Sequence, residues 1–326
     1  MPFSPEILLQ GLHATRFGRV VRVLEETTST LDVAWEWLRA DGPEGGVVIA
    51  ERQTRGRGRA GRTWVSPEGG LWMSVLARPG IGAAHVGRLG VALALATAEA
   101  VRTVAGCDAG VKWPNDVMLQ GRKLAGVLGE AEIERGLIAR AVLSVGLNVN
   151  LRPEDLPEEV REAATTLLEA MGREHALEPL AARVLERLEQ WWESVVGDGR
   201  ELVTAWQKRD ALLGRGVTVD IRGETVRGED RGIDCEGALR LLVGGEERRV
   251  TVGELVRQAV HTCYQTEWLG LTAAQRQALE AYRGGYISLG KLAETMGLSL
   301  LKVREWLSEH GIAQNSVCDK EDLTHA

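Results

Sequence analysis

With 326 residues, 44% hydrophobic and 26% charged, the chain has the composition of a globular protein of about two domains, which excludes a disordered, collagenous or mucin-like polymer. A formal charge of −7 excludes nucleic-acid binding by bulk charge, so any basic feature must be local. The four cysteines (Cys107, Cys235, Cys263, Cys318) have no C-x-x-C spacing and the six histidines form no H-x-x-x-H pair, which argues against a zinc site or a disulfide scaffold. The opening MPFSPEILLQ has no signal-peptide pattern, and the apolar run at 89–101 is interrupted by Glu99 and too short to span a bilayer. We therefore expect a soluble, cytoplasmic protein with no membrane partner.

In chain order, residues 19–24 read as a strand, and the Thr/Ser cluster at 27–30 caps a helix carrying Leu31, Ala34, Trp35 and Leu38. GGVVIAE (45–51) and GLWMSVLARP (70–79) read as buried strands, and the Ala/Leu/Val-rich stretch 86–104 as a core helix. VKWPNDVML and LAGVLGEAEI, with GRK between them, have the shape of a hairpin, and RAVLSVGLNVN (140–150) follows as a strand. Residues 161–172 and 179–196 are helical by apolar period and end at Gly172 and Gly197, and the first domain ends near Leu213. Short β-branched runs separated by Gly fill 214–255 and predict a small barrel of four or five strands.

From Thr266 the pattern turns helical. Residues 285–312 predict a helix-turn-helix with Leu289, Leu292, Ala293, Leu298, Val303 and Leu307 inward. Residues 266–326 hold six Lys/Arg against eight Asp/Glu, which favours a protein-interaction module over a DNA binder; Lys302 and Arg304 keep DNA binding open.

Residues 52–62, RQTRGRGRAGR, carry five Arg, three Gly and no acid between two apolar strands. Such a segment cannot bury itself and predicts a loop anchored at both ends. Guanidinium groups fork onto phosphate or carboxylate oxygens and glycines let backbone amides approach an anion, so an anionic ligand is implied. The loop is not a Walker loop, since no G-K-[ST] closes it, nor a dinucleotide fingerprint, since it opens no helix.

Four strings in order, TTSTLDVA (27–34), GRGRAGRTW (56–64), KWPNDVMLQGRKLAGVL (112–128) and GLNVN (146–150), resemble the biotin protein ligases, and RGIDCEGALRL resembles the family's C-terminal SH3-like domain. The resemblance covers roughly residues 19–261. It implies an α+β fold: a mixed-sheet catalytic domain related to class II aminoacyl-tRNA synthetases (1–213), an SH3-like barrel (214–262) and, beyond the family pattern, the helical module (266–326). It also implies the reaction. Biotin and MgATP give biotinyl-5′-AMP, and a lysine of a biotin carboxyl carrier protein takes the biotinyl group. A ligase for another carboxylic acid such as lipoate, or the same ligase doubling as a DNA-binding regulator, are the alternatives. Regulatory members carry an N-terminal winged helix-turn-helix of some sixty residues; only about 18 residues precede the first strand here, so that module is not expected.

By this resemblance Ser29, Thr30 and Gln53 face biotin, with Leu31 where many relatives have Asn. Without it, Ser29 or Thr30 reads as a helix cap. Gly56, Arg57, Gly58 and Arg59 match the loop over the adenylate, where arginines offset the repulsion between carboxylate and triphosphate and an ordered lid shields a mixed anhydride from water. Lys123 matches the lysine on the biotin carboxyl and α-phosphate, with Lys112 nearby. Trp64, Asn115 and Asn148 are expected on the nucleotide side and Gly146 under the adenylate. Asp116 is the candidate Mg²⁺ ligand and the candidate acceptor for the carrier lysine's proton. A β-turn role for Pro114-Asn115-Asp116 and core packing for Trp64 are the plainer readings.

Overall fold

The chain begins with a short helix, α1 (Pro5–Gly11), capped by Ser4, whose Oγ accepts from the Ile7 amide at 3.2 Å. Strands β1 (Val21–Thr27) and β2 (Val47–Gln53) run parallel, because the connection between them is a helix, α2 (Thr30–Arg39), and not a tight turn. The Ser29 Oγ accepts from the Leu31 amide at 3.3 Å and caps α2, as the Thr/Ser cluster predicts. Leu31, Ala34, Trp35 and Leu38 of α2 pack on Val48, Leu76 and Val142.

The computed structural model describes residues 2–221, 224–251, 254–258, 275, 278 and 289–309, which fall into two units, 1–259 and 260–326. In the first unit β3 (Leu71–Ala77), buried along its whole length, lies antiparallel to β2; β4 (Ile81–Gly82) is a short edge piece. The helix α3 (Val86–Ala105) ends at Gly106, in left-handed conformation with φ 78°, whose amide bonds the Arg102 carbonyl. Together with the turn before it α3 is long and apolar enough to cross a membrane, longer than the interrupted run suggested, but most of it is buried in the protein core.

β5 (Gly110–Lys112), β6 (Asp116–Leu119), β7 (Arg122–Glu134) and β8 (Leu137–Leu147) complete a mixed sheet of order β1-β2-β3-β8-β7-β6-β5, with β4 on β8. The segment read as one hairpin is three strands. Residues 113–115, the middle of KWPND, form the turn between β5 and β6, with a cis Trp113–Pro114 bond, so the plainer turn reading holds for Pro114 and Asn115, while Asp116 opens β6 and pairs with Lys112. The next turn is Gln120-Gly121 and not GRK. Both Gln120-Gly121 (φ 52° and 80°) and Arg135-Gly136 (φ 52° and 81°) have two successive positive φ values, the geometry that matches strand twist in two-residue hairpins.

Beyond the sheet come α4 (Glu158–Arg161), α5 (Leu167–Met171), α6 (Leu177–Val196) and α7 (Arg200–Arg209). The single helix expected over 161–172 is broken. The Lys123 amide donates to the Ala163 carbonyl at 2.7 Å and the Thr165 amide to the Lys123 carbonyl at 2.9 Å, so 162–166 is drawn onto β7 as a strand-like bridge. Thr166 then caps α5 through its Oγ1. Helices α1 and α7 escaped the sequence reading; α7 buries only Leu202, Ala205 and Trp206, a stripe too sparse for periodicity to reveal.

A second, antiparallel sheet follows: β9 (Gly216–Ile221), β10 (Glu224–Ile233), β11 (Leu239–Val243), β12 (Glu246–Val250) and β13 (Glu254–Gln258), in the order β12-β11-β10-β9-β13. Its 234–238 turn is fixed to the first sheet's helices. Buried Arg88 donates to the Cys235 carbonyl at 2.5 Å and the Gly197 carbonyl at 2.8 Å, and the Trp113 indole donates to the Gly237 carbonyl at 3.0 Å.

The second unit shows two helices, α8 (Leu289–Met296) and α9 (Leu300–Glu309), joined through Gly297 with φ 66°. Leu292, Ala293, Val303 and Leu307 are buried as expected, with Met296 added, and Leu289 and Leu298 pack at the margin. The expected limits 285 and 312, and the barrel end at 262, lie outside the described residues.

Candidate active site

The cleft of ≈ 760 Å³ is floored by β7 and β8. Gly126 and Gly146 are cross-strand partners there, and the Trp64 indole lies on both: a Cβ on Gly146 would sit 2.4 Å from Trp64 Nε1 and one on Gly126 3.0 Å from the ring. Only glycine leaves room for this stack. The pairing of β6 with β7 shifts register between Val117 and Met118, so that Met118 faces Lys123 and Val117 faces Ala125. The extra residue lets Lys123 share a face with Gly126, three positions on, which simple alternation forbids. Lys123 Nζ lies 5.1 Å from the Trp64 ring centre, within cation–π range.

One end of the cleft is a chain of hydrogen bonds. The Thr30 amide and Oγ1 both donate to Gln53 Oε1, at 2.8 and 3.1 Å, and Gln53 Nε2 donates to Ser66 Oγ at 2.8 Å. Ser74 Oγ donates to Thr30 Oγ1 at 2.8 Å, and Ser144 Oγ lies 2.7 Å from Ser74 Oγ. Since a hydroxyl has one proton and Ser74 gives its own to Thr30, Ser144 must donate to Ser74. Ser144 then presents lone pairs to the cleft it lines.

The other end is cationic. Asp116 Oδ1 lies 2.6 Å from Lys123 Nζ and its Oδ2 3.8 Å from Lys112 Nζ. Burial pushes the Lys112 pKa down; Asp116 pulls it back up, while Lys123 and Arg62 lower it further. Burial also works against the Arg59 guanidinium, with Asp116 supporting its charge and Arg62 opposing it. Arg59, Arg62, Lys112 and Lys123 line the cleft against two carboxylates, Asp116 and Asp220, the latter from β9. The excess positive charge in a partly desolvated pocket favours a polyanion.

Two segments cover the cleft. The Arg/Gly loop is a folded hairpin: the Gly58 amide bonds the Arg62 carbonyl at 2.7 Å, the Trp64 amide bonds the Gly56 carbonyl at 2.8 Å, and 59–61 forms a 3₁₀ turn. Opposite it, Leu156 and Ala164 pack with Leu151, Trp72 and Trp64, and Leu156, Pro157, Val160 and Ala164 form the apolar wall. Asn148 Nδ2 holds that wall by donating to the Thr165 carbonyl at 3.1 Å.

The profile of the Biotin/lipoate A/B protein ligase family matches residues 21–148, the span that supplies most of the residues lining this cleft. The chain is 31% identical over 233 residues to the bifunctional ligase/repressor BirA of Bacillus subtilis, covering 71% of this chain and 72% of that protein. It is 35% identical over 226 residues to the biotin–[acetyl-CoA-carboxylase] ligase of Mycobacterium tuberculosis, covering 65% of this chain and 79% of that one. This chain belongs to the biotin protein ligases. A solved biotin protein ligase from Aquifex aeolicus, in complex with biotin and ATP, superposes with a TM-score of 0.62 at 29% identity, over 74% of this chain and all of that one.

For this ligase the cleft gathers Ser29, Thr30, Leu31, Gln53, Arg57, Gly58, Arg59, Trp64, Lys112, Asn115, Asp116, Lys123, Gly146 and Asn148 from four separate stretches of sequence. Gly56 is the exception among the expected residues. It sits at the loop base, where a Cβ would meet the Trp64 carbonyl oxygen at 2.3 Å and Ser66 Oγ at 2.6 Å, and does not line the cleft. Asn115 is turned to β7, its Nδ2 donating to the Val127 carbonyl at 2.8 Å, and the Arg57 guanidinium pairs with Asp32 and Glu130. No role was expected from Gly126, Ser66, Ser74, Ser144 or Asp220; of these only Gly126 stands inside one of the four strings that resemble the family, as the Gly of KLAG. Among the described residues no three His, Cys, Asp or Glu cluster as a metal cage.

Proposed function

We propose that this biotin protein ligase activates biotin with ATP as biotinyl-5′-AMP and passes the biotinyl group to a lysine of a carboxylase's biotin carrier domain, in the cytoplasm. One observation carries the reading: a single cleft joins a hydroxyl–carboxamide chain to a cluster of four cations. The Ser144 lone pairs suit the N–H of a cyclic urea and the cations suit a carboxylate meeting a triphosphate. A dithiolane ring offers no such N–H, so lipoate fits the closed end less well.

The biotin carboxylate attacks the α-phosphorus and pyrophosphate leaves; the carrier amine then attacks the acyl carbon and AMP leaves. Lys123 and Arg59 stabilise the charge on the α-phosphate, Trp64 and Asn148 bound the nucleotide side, and the loop excludes water from the anhydride. Asp116 holds Lys123 and Lys112 in place and would supply a carboxylate oxygen to a Mg²⁺ carried in on the phosphates, since such ions need only one or two carboxylates from the protein. It is also the candidate acceptor for the carrier lysine's proton. We further read 1–213 as the synthetase-related catalytic domain, 214–262 as an SH3-like barrel and 266–326 as a protein-interaction module. Leu300 and Leu301, 38% and 67% exposed at the start of α9, support an apolar contact there in place of DNA.

The test is ATP–pyrophosphate exchange with biotin, lipoate or octanoate as the acid, followed by transfer to a purified carrier domain. Exchange with biotin alone is expected. Exchange with lipoate but not with biotin overturns the reading.

A further inference from the structure

The hydroxyl chain at the closed end of the cleft runs in one direction, and a single backbone group sets it. The Thr30 amide donates to Gln53 Oε1 at 2.8 Å. A peptide N–H cannot accept, so turning the carboxamide round would set two donors face to face. Gln53 Nε2 is thereby left for Ser66 Oγ, which passes its own proton to the Trp64 carbonyl at 3.0 Å. Thr30 Oγ1 lies 3.1 Å from the same Oε1, an oxygen without a proton, so Thr30 supplies the proton of that bond and accepts from Ser74. Ser74 in turn accepts from Ser144, its register partner across β3 and β8. The reverse direction would leave Thr30 Oγ1 and Gln53 Oε1 as two acceptors in contact with no proton between them.

We propose that Ser144 is a specificity-determining residue held as an acceptor toward the cleft, and that Ser74 is the positioning residue that holds it so. Ser74 is fully buried and does not line the cleft, so it acts on a ligand only through its neighbours. Ser144 does line the cleft, with its one proton committed to Ser74. The closed end therefore selects an acid whose far end donates a hydrogen bond. An acid whose far end only accepts meets a second acceptor there, and an apolar end strips water from Ser144 without replacing it; both are penalised. The inference rests on the biotin-ligase reading for the identity of the donor, a ureido N–H, and not for the direction of the chain.

The test combines calorimetric titration of the full chain with biotin and with dethiobiotin, which share the urea, and steady-state kinetics. Ser144→Ala is expected to weaken binding of both acids about tenfold, with kcat at saturating biotin and KM for ATP unchanged. Ser74→Ala is expected to weaken both about threefold, because Ser144 can then still accept but is no longer held to it. Adding Ser74→Ala to Ser144→Ala is expected to cost nothing more, since Ser74 acts through Ser144. Near-ultraviolet circular dichroism equal to wild type shows that each variant is folded. Wild-type affinity in folded Ser144→Ala, or a loss of the same size in kcat or in KM for ATP, would overturn the specificity role. A Ser74→Ala loss that adds in full to that of Ser144→Ala would overturn the positioning role.

A second measurement needs no ligand. The hydroxyl proton of Ser74, shielded from solvent, is expected by NMR to lie closer to the β proton of Thr30 than to the β protons of Ser144. The opposite proximity would overturn the direction of the chain whatever acid the protein takes. Wild type that binds lipoate and neither biotin nor dethiobiotin would count against the biotin reading and leave the NMR result intact.

Discussion

Asp230 on β10 is fully buried at the junction between the two sheets of the ligase, where the Gly214 amide bonds its carbonyl and its own amide bonds the Arg215 carbonyl. Its Oδ1 accepts from the Gly232 amide at 2.7 Å, and Oδ2 is buried without a hydrogen-bond partner. Burial, then the negative charge of Asp210, raise its pKa from 3.8 to about 7, against a smaller opposing pull from the Gly232 amide. Asp210 is itself raised by burial, with the Leu212 amide and the Trp206 indole opposing. The folded state thus holds a proton on Asp230 that the unfolded chain releases at lower pH. Its contribution to stability is complete below pH 3.8, declines as pH rises, and is lost above about 7, a loss of about 4 kcal/mol over that window. Asp230→Asn keeps the acceptor for Gly232 and removes the charge, at a cost of about 1–2 kcal/mol for an unpaired buried amide N–H. Urea unfolding followed by tryptophan fluorescence from pH 5 to 8.5 is the assay. Wild type is expected to lose midpoint with rising pH, and the variant to stay flatter and exceed it by about 2–3 kcal/mol at pH 8. Parallel pH curves for the two proteins would refute the assignment of a proton to Asp230.

Lys123→Ala is expected to slow single-turnover formation of biotinyl-5′-AMP by about 3 kcal/mol of barrier with folding unchanged; a normal rate in a folded variant removes Lys123 from the chemistry. Gly146→Ala places a Cβ 2.4 Å from Trp64 Nε1 and is expected to displace the indole, read as a shift in tryptophan emission and a raised KM for ATP; the same emission and KM as wild type would mean that the stack is not needed. A chain ending at Thr266 is expected to keep kcat/KM for carrier and ATP, because all residues lining the cleft precede 221; a tenfold loss in folded protein would assign the tail a role in catalysis.

How much of this site was legible in the sequence depends on which property each residue uses. The strings around Ser29, Arg57, Lys112 and Gly146 were recognisable because their roles need particular side chains or a bare backbone in a fixed order. The buried strands were readable because β3 is apolar except for Ser74 and most of β8 is apolar, and the α2 cap because Ser29 acts through the residue two positions on. Ser66, Ser74 and Ser144 were not legible, since a hydroxyl on a strand has the same composition signal whether it faces solvent or joins a proton chain. Their function exists only through registry: Met73↔Val145 pairing places Ser74 opposite Ser144, and α2 brings Thr30 over both.

The same distinction explains the broken helix and the misjudged hairpin. Residues 161–172 have a helical apolar period, but the backbone at 163–165 finds stronger partners on Lys123 than within a helix, and no local pattern encodes a strand 40 residues upstream. The register shift beside Val117 is equally silent in sequence, yet it decides that Lys123 points into the cleft beside Gly126. Arg57 shows what tertiary contacts add to such a reading. Its residue type signals anion binding, and an arginine among five in a loop invites that reading, but the two acids that claim it lie 25 positions before it and 73 after it. A charge is committed by whichever opposite charge the fold brings within reach, so in an arginine-rich loop the sequence names the candidates and tertiary contacts tell them apart: both Arg57 and Arg59 line the cleft, Arg59 with Asp116 supporting its charge and Arg57 paired with Asp32 and Glu130.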